Sequence, residues 1–174
     1  ERLPFYFVQI APYIYSPEAK SQGLRDAQRK TLSLENTGMA ITLDIGEEND
    51  IHPANKQDVG IRLARLALNN DYGMSEVLAS GPLYKSKKLY KNYIDLTFDY
   101  VGSELKSKGF LNGFEIAGSD NVFYSASAKI INKKVRVYSK KVKMPKRVRY
   151  GWKNYFDATL FNSEGLPASS FQTE

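Results

Sequence analysis

The sequence predicts an α/β unit carrying part of a parallel sheet, followed by an antiparallel β-sandwich. Two features point there. Up to Gly73, strand-like and helix-like segments alternate with short connections, the pattern of a parallel α/β sheet. From Gly81 onward, short segments alternate apolar and polar residues between turns rich in Gly, Asn, Asp and Pro, the pattern of a sandwich. The first unit is assigned to residues 1–75 and the second to residues 76–174.

In the first unit, Phe5-Tyr6-Phe7-Val8-Gln9-Ile10 reads as a short buried strand. Ser16-Pro17-Glu18 has the form of a helix start: a capping hydroxyl, a proline suited to the first turn, and an acid near the positive end of the dipole. That helix is expected to reach Leu32. A turn at Glu35-Asn36-Thr37-Gly38 leads into Met39-Ala40-Ile41-Thr42-Leu43-Asp44, too continuously apolar for a half-exposed strand. A polar loop from Gly46 to Asp50 precedes His52-Pro53. A second helix is expected from Asn55 to Asn69, with Val59, Leu63, Leu66 and Ala67 on one face. Two strands do not make a stable domain of this kind, so the sheet is expected to continue in sequence outside these residues.

In the second unit the strand candidates are Gly113–Gly118, Val122–Ala126, Ile94–Tyr100, Lys134–Tyr138 and Val148–Trp152. Asp120-Asn121 and Asn132-Lys133 are the expected turn tips.

Composition removes several kinds of chemistry. There is no cysteine, so disulfides, thiolate metal sites and a cysteine nucleophile are excluded within the chain. A single histidine, His52, rules out a zinc site built on several histidines, and no metal or other cofactor is expected. No apolar run approaches the roughly 18 residues of a membrane span, and no glycine-rich phosphate loop occurs. The net charge is +6, and the excess is local: eleven Lys or Arg and no acid lie between Asp120 and Asp157. With Tyr138, Tyr150 and Trp152 interleaved, that stretch fits either a polyanion- or carbohydrate-binding surface or the solvated face of a sandwich, where Lys134 and Arg136 point out and Val135 and Val137 point in. Neither a nucleic-acid nor a membrane partner is expected.

His52 is the sharpest candidate for chemistry. It lies in a loop after a buried strand and just before a helix, and in open α/β sheets such loops build the active site. Asp50 is two residues away and Asp44 closes the strand. A carboxylate beside an imidazole fixes its tautomer and stabilises the imidazolium. A solvated surface histidine would read the same way. No nucleophile elbow of the Gly-x-Ser-x-Gly kind is present.

Several segments, in order along nearly the whole chain, carry a resemblance. They include Phe5 to Tyr13, Leu24-Arg25-Asp26-Ala27-Gln28, Thr37 to Gly46, and Asp50-Ile51-His52-Pro53-Ala54-Asn55-Lys56-Gln57. Later come Gly81-Pro82-Leu83-Tyr84, Phe114 to Gly118, Val148-Arg149-Tyr150-Gly151-Trp152, and Gly165-Leu166-Pro167-Ala168-Ser169-Ser170-Phe171. Together they resemble the C-terminal portion of the sialate O-acetylesterase-like family, part of the SGNH hydrolase group. The resemblance implies a serine-dependent esterase that removes acetyl groups from sugars, exported to the periplasm or outside the cell.

In that family the histidine of the Ile-His-Pro motif is the general base, which corresponds to His52. The usual SGNH spacing places the acid three residues before the histidine, where this chain has Asn49. Asp50 is therefore the first candidate for the orienting acid and Asp44 the second. Arg25 and Gln28 match family positions and are candidate substrate contacts. The serine nucleophile and oxyanion groups belong to early blocks that this chain does not contain. The resemblance thus implies a partner, the N-terminal portion of the same protein, alongside the O-acetylated sugar substrate. These residues alone are expected to be inactive.

Overall fold

The computed structural model describes residues 3–174; Glu1-Arg2, the expected opening of the first unit, lie outside them. Strand β1 (Phe5–Val8) and strand β2 (Thr37–Ala40) pair in parallel, with Phe5 opposite Thr37 and Val8 opposite Ala40. Helix α1 (Ser21–Lys30) crosses between them and helix α2 (Lys56–Asn70) follows β2. This is the alternation that the sequence predicts.

Several boundaries differ from expectation: β1 stops at Val8 and α1 at Lys30, each two residues early, and two further differences have a visible cause. β2 ends at Ala40, and Ile41 to Leu43 continue as buried irregular chain. That stretch is held from outside the ladder: the Thr42 hydroxyl donates to the Gln9 carbonyl (2.7 Å) and Arg62 Nη1 to the Ile41 carbonyl (2.5 Å). Helix α1 begins four residues late. Ser16-Pro17 forms a turn, closed by the Ala19 amide on the Ser16 carbonyl (2.9 Å), instead of capping a helix. The cap comes from Asn154, whose Oδ1 accepts from the Ser21 amide (3.0 Å) and hydroxyl (2.9 Å). A side chain more than a hundred residues away satisfies a free donor of the first turn, so local sequence cannot show it.

From Leu83 the fold is antiparallel. One sheet has the order β3 (Leu83–Leu89), β4 (Ile94–Asp99), β9 (Lys134–Tyr138), β8 (Ser127–Ile131). The second has the order β12 (Phe171–Gln172), β10 (Arg147–Tyr150), β6 (Phe114–Ala117), β7 (Phe123–Ser125). A short pair joins β5 (Leu105–Ser107) to β11 (Leu160–Asn162). Asn132 and Lys133 both take positive φ, 47° and 60°, at the tip between β8 and β9. That is a two-residue turn whose twist matches its strands.

Alternation decides which residues fill the sandwich. Ile94, Leu96, Val135 and Val137 of one sheet and Phe114, Ile116, Val148 and Tyr150 of the other are all buried in one cluster. Phe171 bridges the sheets: it stacks on Tyr84 (4.9 Å between ring centres) and meets Phe98 edge-on (5.8 Å). The cluster does not stop at the sandwich. Met39, Ile41 and Leu43, at and beyond the end of β2, belong to it, so the two parts share one core. The free face of the parallel pair is unlike it: Leu3 and Phe5 are 79% and 63% exposed.

Candidate active site

The chain leaves the C-terminal ends of β1 and β2 in two loops that meet. The Ile14 amide donates to the Glu48 carbonyl (3.1 Å). Gly46 lies against Pro12 so closely that a Cβ there would be 2.3 Å from the Pro12 carbonyl oxygen. A side chain at position 46 would therefore push the loops apart. In open α/β sheets this end of the strands is where ligands bind.

His52 sits on the second of these loops and is exposed. Its backbone is fixed by short-range bonds. Asp50 Oδ1 accepts from the His52 amide (2.8 Å), Glu47 Oε1 from the Ala54 amide (2.6 Å), and Lys56 Nζ donates to the Pro53 carbonyl (2.6 Å). Asn55 then caps α2: its Oδ1 accepts from the Asp58 amide (3.1 Å) and its Nδ2 donates to the Asp58 carboxylate (2.9 Å). This reciprocal cap sets where the loop becomes helix. Among the described residues, no side chain hydrogen-bonds the imidazole itself. The peptide is thus pre-set while the ring is available to another group.

The two candidate acids are placed differently from each other. Asp50 holds the peptide of His52 through an Asx-type turn. Asp44 is committed elsewhere: both its oxygens accept from Arg62, Oδ1 from Nη1 and Oδ2 from Nη2, each at 2.7 Å. Arg62 is buried on α2 and also holds the Ile41 carbonyl. That bidentate pair ties α2 to the end of β2 and leaves Asp44 no oxygen free of the guanidinium.

Arg25 and Gln28 take up structural bonds. Arg25 is wholly buried. Its Nε donates to Ser170 Oγ (3.0 Å), Nη1 to Ser21 Oγ (3.2 Å) and the Asn154 carbonyl (3.3 Å), and Nη2 to the Gly151 carbonyl (3.3 Å) and the Lys153 carbonyl. Burial lowers the guanidinium pKa to about 10, which leaves it charged at neutral pH. Gln28 accepts from the Ile10 amide (2.9 Å) and donates to the Val8 carbonyl (3.2 Å). Arg25 clamps α1 to the sandwich and Gln28 braces the exit of β1. Sequence reading missed Gln9, which bonds the Arg25 carbonyl (3.2 Å) and Ser169 Oγ (2.8 Å) at the same junction. The signal was a polar residue inside an apolar strand.

Tyr150, one of the three aromatics that the binding-surface alternative would use, is in the core. Its hydroxyl accepts from the amides of Thr159 (2.9 Å) and Leu160 (3.0 Å), and burial pushes the phenol pKa up. Tyr138 and Trp152 are half-buried. The basic stretch is partly neutralised by bidentate pairs, Arg136 with Asp95 and Arg149 with Glu115. Among the described residues, no group of three His, Cys, Asp or Glu could hold a metal ion. No helix among them is long and apolar enough to cross a membrane.

No protein-family model matches the chain, and no curated protein matches it. Among solved structures, it is similar to a carbohydrate acetylesterase from Xanthomonas citri, with 40% sequence identity and a TM-score of 0.91 over 98% of this chain. The chain spans 41% of the length of that enzyme, and so has the fold of the matching part of a carbohydrate acetylesterase.

Proposed function

We propose that the protein containing this chain is a serine-dependent carbohydrate O-acetyl esterase of the sialate O-acetylesterase-like, SGNH type. His52 is its general base. The main support is the placement of His52: an exposed ring on a backbone fixed at Asp50, Glu47 and Lys56, at the C-terminal end of a parallel strand pair. The likeness to a carbohydrate acetylesterase at 40% identity supports the class of reaction.

On this reading the nucleophilic serine and the oxyanion donors come from a portion of the protein outside these residues. Neighbour strands beside the two-stranded parallel sheet would bring that portion in. His52 takes the serine proton as the hydroxyl attacks the acetyl carbonyl. It returns the proton to the departing sugar alcohol, then activates water against the acetyl-enzyme. Asp50 positions His52 through its peptide. The substrate is an O-acetylated sugar, met in the periplasm or outside the cell.

The test is acetate release from an O-acetylated sugar by the full-length protein and by residues 1–174 alone. Activity in the first and none in the second is expected. Without a nucleophile there is no acyl acceptor, and the oxyanion contribution of about 3–4 kcal/mol is lost as well. Full activity in residues 1–174 alone would overturn the division of labour.

A further inference from the structure

The sandwich carries an open groove of about 560 Å³ between residues 110–115 and 152–159. This lies within the roughly 300–1,000 Å³ of small-ligand sites. Its lining is unusual for a solvated surface. Phe110 is 79% exposed, and Trp152 and Phe156 are each half-buried.

Two of these rings, Trp152 and Phe156, are held from behind. Arg149 lies 5.8 Å from the centre of the Trp152 ring and 4.1 Å from that of Phe123, and its guanidinium is bidentate to Glu115 (2.8 and 3.3 Å). Phe156 meets the buried Tyr150 edge-on at 5.4 Å and lies on Gly113. Gly113 has a φ of +80°, and a Cβ there would be 2.2 Å from the Phe156 ring. Pre-set aromatic faces bind with little loss of side-chain entropy. Asn112 and Asp157 add an amide and a carboxylate at the rim, both exposed. Flat apolar faces beside hydroxyl-matching polar groups are the complement of a pyranose ring. Glu115 is paired to Arg149, and the exposed Lys153 and Asp157 of the lining balance each other, so the groove has no cationic excess to favour an anion.

The groove is also joined to the candidate active site. The segment that carries Trp152 and Phe156 includes Asn154, whose carbonyl accepts from the Tyr13 amide (3.4 Å) and whose side chain caps α1. Tyr13 and Ile14 belong to the loop that meets the His52 loop.

We infer that this groove is a subsite for a neutral pyranose of a longer sugar chain, flanking the unit that bears the acetyl group. The inference rests on the esterase reading for the acetylated unit, so the substrate is an acetylated oligosaccharide in preference to a free acetylated monosaccharide.

The test uses full-length protein, wild type, Trp152→Ala and Phe110→Ala. Phe110 is on the surface, so its loss leaves the fold intact. Binding of unacetylated xylotetraose, cellotetraose and mannotetraose is measured by calorimetry, and kcat/KM is measured on their acetylated forms and on an aryl acetate. At least one tetraose should bind wild type, with both variants at least tenfold weaker. The variants should lose at least tenfold in kcat/KM on the matching acetylated tetraose and keep their rate on the aryl acetate. No binding of any tetraose, or binding unchanged in both variants, overturns the subsite. Failure of the wild type on every acetyl ester, with tetraose binding retained, overturns the esterase reading and leaves the groove as a sugar site.

Discussion

Asp50 is the residue on which the details of the site turn. Its observed bond is to the His52 amide, so its effect runs through the loop backbone. Asparagine retains an acceptor for that bond and alanine does not. In the full-length protein, Asp50→Asn should keep acetate release within about threefold, whereas Asp50→Ala should lose about tenfold or more. Equal, large losses in both would instead assign Asp50 a charge-based role on the imidazole. Arg25 makes a stability prediction. Its removal leaves the carbonyls of Gly151, Lys153 and Asn154 without their cationic donor inside the protein. Arg25→Leu should cost about 3–5 kcal/mol in urea unfolding. His52 stood out in the sequence because it is the single histidine, lies in a loop between an apolar strand and a helix, and falls in the Ile-His-Pro motif of the family that the chain resembles. The part played by Arg25 did not stand out, because its partners at Gly151 to Asn154 and Ser170 lie far along the chain. Only the fold brings them to α1.

At the scale of elements, local signals succeeded where the local chain closes its own bonds. Asn55 starts α2 with its own side chain, and the Asn132-Lys133 tip makes its own hairpin turn; both were readable. The start of α1 was not, since Asn154 supplies its cap. The outer strands β3 and β8 were also missed. β3 is rich in lysine, with Lys85, Lys87 and Lys88 where apolar residues would advertise a strand. Edge strands are commonly charged in this way, which blunts strand addition. Asn55→Ala should cost about 1 kcal/mol of stability by loss of the cap. Because the cap is three residues from His52, activity should fall with it, and a thermal melt alongside acetate release checks both. At the hairpin tip, Lys133→Gly should stabilise the protein by about 0.5–1 kcal/mol, because glycine takes the positive φ without steric cost.

Over the whole molecule, the α/β part and the sandwich are joined by a continuous core and by a buried polar junction. Met39, Ile41 and Leu43 pack into the same cluster as Phe114, Tyr150 and Phe171. Gln9 and Arg25 bond Ser169 and Ser170 across the boundary. The paired alternation of two sheets was visible in the sequence as period-two patterning, and the coupling between the two parts was not. It depends on residues such as Ser169 and Ser170, whose small polar side chains read as surface until they are found fully enclosed. Leu3 and Phe5 lie exposed beside a two-stranded parallel sheet, an apolar patch left uncovered among the described residues.

The most direct measurement is acetate release from an O-acetylated sugar by full-length wild type and its His52→Ala variant, with circular dichroism to verify that both are folded. The account predicts a fall of about 10²–10⁴-fold in kcat with little change in KM, the loss of a general base that acts in the transition state. A folded His52→Ala variant with unchanged kcat would contradict it.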